Sequence, residues 1–256
     1  MENQSENTDL QKTINRRTFI SFSVFSALSI SAFTLWEWLY KSPLEKAGTT
    51  AGAREPLRKA LNATELAFRK VYDPNQLVET YPVSMAAKKV RQNGNVGLKS
   101  ILKEEDWNLT FFNEKEKLLS LNLKDIKLLP KTEIVFDFKC VEGWDQVSHW
   151  GGVKILDIIS HYNLQRYAKM EYMGIKTPDE KYYVGLDMPS AIHPQSLLCY
   201  EMNGKPLPMS HGYPLRLIIP VKYGIKNLKR VSSITFCNER PGDYWAERGY
   251  DYYSGL

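Results

Sequence analysis

The stretch FKCVEGWDQVSHWGG, residues Phe138–Gly152, follows directly on EIVFD, and the joined run EIVFDFKC reads as a buried strand. It sets one cysteine, Cys140, beside Glu142, Trp144, Trp150 and three glycines. Taken alone, Cys140 admits three readings: a small core residue, half of a disulfide, or a thiolate holding a ligand. The other cysteines, Cys199 and Cys237, lie at long and dissimilar spacings that make no CxxC, CxxCH or zinc pattern. In an oxidising compartment at most one disulfide can form, which leaves at least one thiol to be buried or bound.

Working outward, LSLNL near Leu119 and PLRLIIPV after His211 also read as strands. Helical patterns interrupt them at Val153 to His161 and, briefly, near Pro189 to Pro194. Upstream, Glu55 to Val71 carries Leu57, Leu61, Leu66 and Phe68 among charges, an amphipathic helix ending before Asp73-Pro74. Strands mixed irregularly with helices predict an α+β fold rather than a doubly wound sheet. At 256 residues, 43% hydrophobic and 25% charged, the chain has the composition of one main globular domain, placed at residues 55–256. The net charge of +5 comes from interleaved charges, without a basic block, a zinc-finger spacing or a base-stacking signature, so a nucleic-acid partner is not expected. A basic surface that meets anionic small molecules or lipid stays open.

Thr18–Trp36, TFISFSVFSALSISAFTLW, contains no charge, and a helix of about 20 residues spans the hydrocarbon core of a bilayer. Arg16 and Arg17 precede it, and Trp36, Trp38 and Tyr40 close it like an interfacial belt. The sequence therefore divides into a cytoplasmic N-terminus (1–17), a transmembrane anchor or export signal (18–40) and a polar linker (41–54) before the domain. INRRTFI also looks like a twin-arginine export signal. The small residues Ala51-Gly52-Ala53 lie far behind the apolar run for a cleavage site, so a single-pass anchor with an extracytoplasmic, periplasmic domain is the expectation.

FKCVEGWDQVSHWGGV, followed by LLCYEMNGKPLPMSHGYPLRLIIPVKYGIKNLKRV, resembles the molybdopterin-binding domain of the sulfite oxidase family. The similarity is to its exported bacterial branch, which includes a periplasmic methionine sulfoxide reductase. It extends weakly back to about Pro56 and forward through GDYWAERGY. The resemblance implies a Mo-molybdopterin cofactor with Cys140 as the protein ligand to molybdenum. A soft thiolate suits such a metal, and coordination holds it deprotonated.

By the same resemblance His211 and Arg216 of HGYPLR bind the pterin, where a guanidinium fork meets phosphate oxygens in pairs. YGIKNLKR has the form of a second pterin-binding turn, with Gly224 permitting the bend and Lys226 and Lys229 as its cations. The family commonly places tryptophan after that lysine; here Arg230 stands there, an extra cation within reach of the phosphate. In VRQNGNVGL, Arg91 is placed to hold an anionic substrate or an oxo group and Asn93 to donate to a metal-bound oxygen, though Asn93-Gly94 is also an ordinary turn signal. Tyr182, or Tyr183 in its place, aligns with a tyrosine beside the metal. Glu142 is expected to be buried and hydrogen-bonded, Trp144 to close the pocket, and Cys199 and Cys237 to be small core residues.

The resemblance thus implies an oxygen-atom-transferring enzyme that reduces S-oxides such as methionine sulfoxide. Sulfite oxidation, or a cofactor-free binding scaffold, are the alternatives. With no haem motif in the chain, electrons come from another protein, a membrane cytochrome b by analogy with the family. A monomeric catalytic domain is expected.

Overall fold

The computed structural model describes residues 2–45, 52–71, 73, 76–92, 94–99 and 102–255. Backbone contacts divide the chain into two units, residues 1–45 with 53–64 and residues 46–52 with 65–256.

In the first unit a single helix, α1, runs Glu2–Lys41, without a break where the apolar segment begins. Residues Asn15–Lys41 are long and apolar enough to cross a membrane, and Phe19, Phe22, Phe25, Leu28, Phe33 and Trp36 are all exposed. Behind α1 the chain folds back: Leu44 bridges Arg54, and Arg58 Nε donates to Glu45 Oε2 at 2.8 Å. Helix α2, Glu55–Val71, has the bounds its apolar spacing predicts.

The second unit is α+β. Its elements are β1 (Leu109–Phe112), β2 (Lys117–Leu121), α3 (Leu123–Lys127), β3 (Thr132–Lys139), β4 (Asp145–Lys154) and α4 (Ile155–His161). They continue with β5 (Tyr172–Lys176), β6 (Tyr183–Asp187), α5 (Met188–Ala191), β7 (Leu197–Met202), β8 (Lys205–Pro206), β9 (Arg216–Ile218) and β10 (Ser233–Cys237). One sheet has the order β2-β1-β10-β5-β6, in which β1 and β10 pair in parallel; the other has β3-β4-β7-β8, with β9 also on β7. The larger core joins strand residues such as Phe111, Met173, Ile234 and Phe236 to Ile155, Ile158 and Ile159 of α4. The smaller gathers Phe136, Phe138, Trp150, Leu197, Cys199 and Ile218 on the second sheet.

The helical pattern from Val153 is corrected by the ladder: Val153 and Lys154 pair with Leu198 and Leu197, and α4 begins at Ile155. Both readings bury the same apolar residues, so periodicity alone does not choose between them. The register of β4 against β7 slips between Gly151 and Gly152. A Cβ on Gly152 would stand 2.1 Å from the Leu198 carbonyl oxygen, so the close approach of these central strands requires glycine there. That approach places Trp150, two residues back, in the small core beside β9.

Candidate active site

The loops around β9 and the β3–β4 turn enclose a cleft of about 760 Å³ of empty space, counted out to its open mouth. Its inner wall carries Arg216 and Lys229, 5% and 8% exposed, which meet across a backbone bridge. Arg216 follows from strand alternation. It opposes Cys199 in the β7–β9 ladder, and its guanidinium lies 4.6 Å from the Trp150 ring centroid and 5.5 Å from that of Phe138. Arg216 Nη1 is 3.3 Å from His211 Nδ1, while Arg216 Nε is buried without a hydrogen-bond acceptor. Among the described residues no carboxylate pairs with this guanidinium. Lys229 Nζ donates to the Gly94 carbonyl at 2.9 Å.

The electrostatics follow from this packing. Burial lowers the Arg216 pKa to about 10, and burial with Arg216 nearby lowers that of Lys229 to about 7. Burial, then Arg216 and Lys229, hold His211 down at about 4. The Cys199 thiol is pushed well up by burial, which fits the small core residue expected of it. Arg216, with its orphaned N–H, and Lys229 line the same cleft and form a cradle for an anion, since a buried guanidinium without a carboxylate is costly.

His211 reaches Arg216 through a turn that only glycine completes. Gly212 has φ +102°, and a Cβ there would lie 2.6 Å from the Arg230 nitrogen. The Tyr213-Pro214 bond that follows is cis. Gly224 lines the cleft. Lys226 does not: it is sealed inside, with Nζ 2.5 Å from Asp243 Oδ2 and 3.0 Å from the Gly185 carbonyl oxygen. Its ammonium is therefore a fold contact, a correction to its reading as a cation for the pterin. Asn93 lies outside the described residues.

Cys140 is 4% exposed and opens the turn between β3 and β4, its N–H donating to the Trp144 carbonyl at 2.9 Å. It lines a neighbouring hollow, and Val141 and Trp144 line both that hollow and the cleft. All three cysteines are thiols. Tyr182 lines the cleft and donates to the Ile225 carbonyl at 2.5 Å; burial raises its pKa well above the ordinary phenol value. Tyr183 instead bonds Glu247 at 2.5 Å. At the mouth, Arg91 stacks 4.6 Å over Trp144, whose indole N–H donates to Glu142 at 3.0 Å. Glu142 is exposed on this rim, not buried as the sequence suggested, because the turn carries it past the strand ends.

Sequence reading missed Trp245 and Tyr250, which line the cleft with ring centroids 5.1 Å apart. Their signal was the aromatic density of GDYWAERGYDYY, too far from the cysteine motif for spacing to connect them.

A provisionally named protein-methionine-sulfoxide reductase subunit of Azospira oryzae is 34% identical over 189 residues, 72% of this chain and 70% of that one. The catalytic subunit of the Campylobacter jejuni protein-methionine-sulfoxide reductase is 30% identical over 178 residues, 63% of this chain and 60% of that one. The sulfane dehydrogenase SoxCD of Paracoccus pantotrophus aligns in structure with a TM-score of 0.49 at 17% identity, covering 55% of this chain and 40% of that one. Residues 95–245 match the family described as the oxidoreductase molybdopterin binding domain. The chain, with its cationic cleft and its thiol at the head of the β3–β4 turn, belongs to that molybdopterin-binding oxidoreductase family.

Proposed function

We propose that this protein is a molybdenum oxidoreductase that reduces S-oxides, with methionine sulfoxide as the leading substrate. The observation that carries the reading is the cradle of Arg216 and Lys229, buried cations facing a cleft with an N–H of Arg216 left without an acceptor. Phosphate on a pterin supplies what that cradle lacks. Cys140 would be the thiolate ligand of the metal, with the Val141–Trp144 turn setting its distance from the cradle. When bound, the cofactor supplies the oxygen-atom and two-electron chemistry. The net reaction takes a sulfoxide, two electrons and two protons to the corresponding thioether and water.

The residues of this chain bind, orient and exclude water. Arg91 and Trp144 shape the mouth, and the Tyr182 phenol, protonated at neutral pH with its O–H donated to the Ile225 carbonyl, leaves an acceptor oxygen at the wall. The names of the relatives support a protein-methionine-sulfoxide substrate and a partner subunit. For the partner we propose a membrane cytochrome b, and for α1 a retained anchor that holds the domain on the extracytoplasmic side. Methionine sulfoxide is a reversible lesion, so such an enzyme serves repair.

Metal analysis tests the reading. Protein from a molybdopterin-competent host is expected to hold about one molybdenum per chain and to reduce methionine sulfoxide with a reduced dye, and Cys140→Ser is expected to lose both. A metal-free wild type would favour the scaffold reading. A protein that oxidises sulfite and leaves sulfoxides untouched would reverse the direction proposed.

A further inference from the structure

Arg230 stands next to Lys229 but points elsewhere. It is 2% exposed and holds φ at +57°, a left-handed conformation that side chains other than glycine adopt at a cost. Its guanidinium joins separate segments. Nε donates to the Tyr213 carbonyl at 3.2 Å, Nη1 to the Leu98 carbonyl at 3.1 Å, and Nη2 lies 3.8 Å from Met209 Sδ. Met209 and Tyr213 flank His211. Leu98 ends the segment Gly94–Leu98, whose Gly94 and Val96 line the cleft and whose Gly94 carbonyl accepts the hydrogen bond from Lys229 Nζ.

This segment forms a strap along the wall of the cleft. Gly97 seats it, with φ +76° and a Cβ position 2.5 Å from the Thr177 methyl carbon, so the strap lies flat on the turn after β5. One end is thus held by Lys229 and the other by Arg230. The two fastenings differ in what competes for them. Lys229 faces the cleft, where an anion draws on the same ammonium, while Arg230 is turned away among main-chain carbonyls.

We infer that Arg230 is a positioning residue that fixes the strap Gly94–Leu98 and the His211 loop to each other, keeping this wall of the cleft in place when Lys229 leaves the Gly94 carbonyl for a bound anion. The part of this inference that concerns a bound cofactor rests on the function proposed above; the fastening of the two segments does not. An arginine suits the place because Nε and Nη1, held apart in one plane, reach two separate carbonyls at once, whereas a lysine presents all its donors from a single nitrogen on a flexible stem. Loss of hydrogen bonds from a charged donor is expected to raise local opening by about tenfold or more.

The test is amide hydrogen exchange on the full-length protein in detergent, without and with cofactor, for wild type, Arg230→Ala and Arg230→Lys. The expected result is exchange faster by about tenfold in both 94–99 and 209–213 for Arg230→Ala. Arg230→Lys should recover one segment only, with the amides of β7 unchanged in either variant. In the loaded protein, Arg230→Ala should also lose molybdenum on prolonged dialysis several-fold faster than wild type. Exchange within twofold of wild type in both segments overturns the inference, as does a uniform rise across the whole domain, which would mark Arg230 as a general fold residue. Should Arg230→Ala fail to fold, Arg230→Lys decides by the same two segments. Changed exchange with no molybdenum in any form of the protein would leave the fastening standing and sink the cofactor reading instead.

Discussion

The Lys226 ammonium lies 2.5 Å from the Asp243 carboxylate, both side chains almost wholly sealed from solvent. Asp243 also accepts from the N–H groups of Gly185, Trp245 and Ala246, so one carboxylate ties β6, the Gly224 turn and the aromatic C-terminal wall together. Removing one partner of such a pair strands the other charge in the interior. Asp243→Ala is therefore expected to lower unfolding free energy by about 3–5 kcal/mol, read as a lower denaturant midpoint. A loss under about 1 kcal/mol would show that the pair is not the fastening described.

Arg216 makes the opposite prediction for the cofactor-free protein. Its charge is buried without a carboxylate, so Arg216→Met, which keeps the apolar contacts with Trp150 and Phe138, should raise the stability of that form by about 1–3 kcal/mol. The same substitution should abolish molybdenum retention. Equal losses of stability and metal would mean that Arg216 serves the fold and not an anion.

Stability of the cofactor-free protein should climb with pH above neutrality. Lys229 and Lys222 both have pKa values lowered to about 7, chiefly by burial, against an ordinary value of 10.5. Between those values the unfolded chain binds more protons than the folded one, so unfolding free energy rises with pH, by ~1.4 kcal/mol per pH unit for each group. His211, lowered to about 4 from 6.5, adds a rise across that lower window. Urea unfolding between pH 7.5 and 9.5 should show the slope, and Lys229→Met should remove about half of it. A flat profile in wild type would contradict the burial of these ammonium groups.

Gly152→Ala is expected to cost about 3 kcal/mol, because the added methyl meets the backbone of β7, which cannot turn aside as a side chain would. Gly204→Ala, at a turn with open space around it, provides the comparison, and its loss should be confined to the left-handed backbone, about 1 kcal/mol. If the two variants unfold at the same denaturant concentration, the close approach of β4 and β7 is looser than its geometry indicates.

Much of this molecule could be read locally. The spacing of Leu57, Leu61 and Leu66 delimited α2, and the apolar run in EIVFDFK placed β3 and hence the position of Cys140. Arg216 and Lys229 were singled out by the family resemblance of HGYPLR and YGIKNLKR, and they do line one cleft. Lys226 failed because a basic residue in a short 3-10 turn has no periodicity to say which way it points; its partner, Asp243, sits beyond β10. Glu142 failed for a related reason, since a charge two residues past a buried strand is buried or exposed according to the turn alone. Trp245 and Tyr250 reach the cleft only through tertiary folding, which no window of sequence contains.

The parallel pairing of Thr110 with Ser233 bears on how the polypeptide is made. β10 lies between β1 and β5, at the centre of its sheet, yet it follows the other four strands of that sheet in the chain. Until residues 233–237 emerge, β1 and β5 each keep an unsatisfied edge, and the nascent domain exposes surface open to wrong partners. Centring the sheet on the strand that follows its four companions makes closure of that sheet a late step in vectorial folding. A ribosome that stops before residue 233 thus releases a chain whose sheet cannot close.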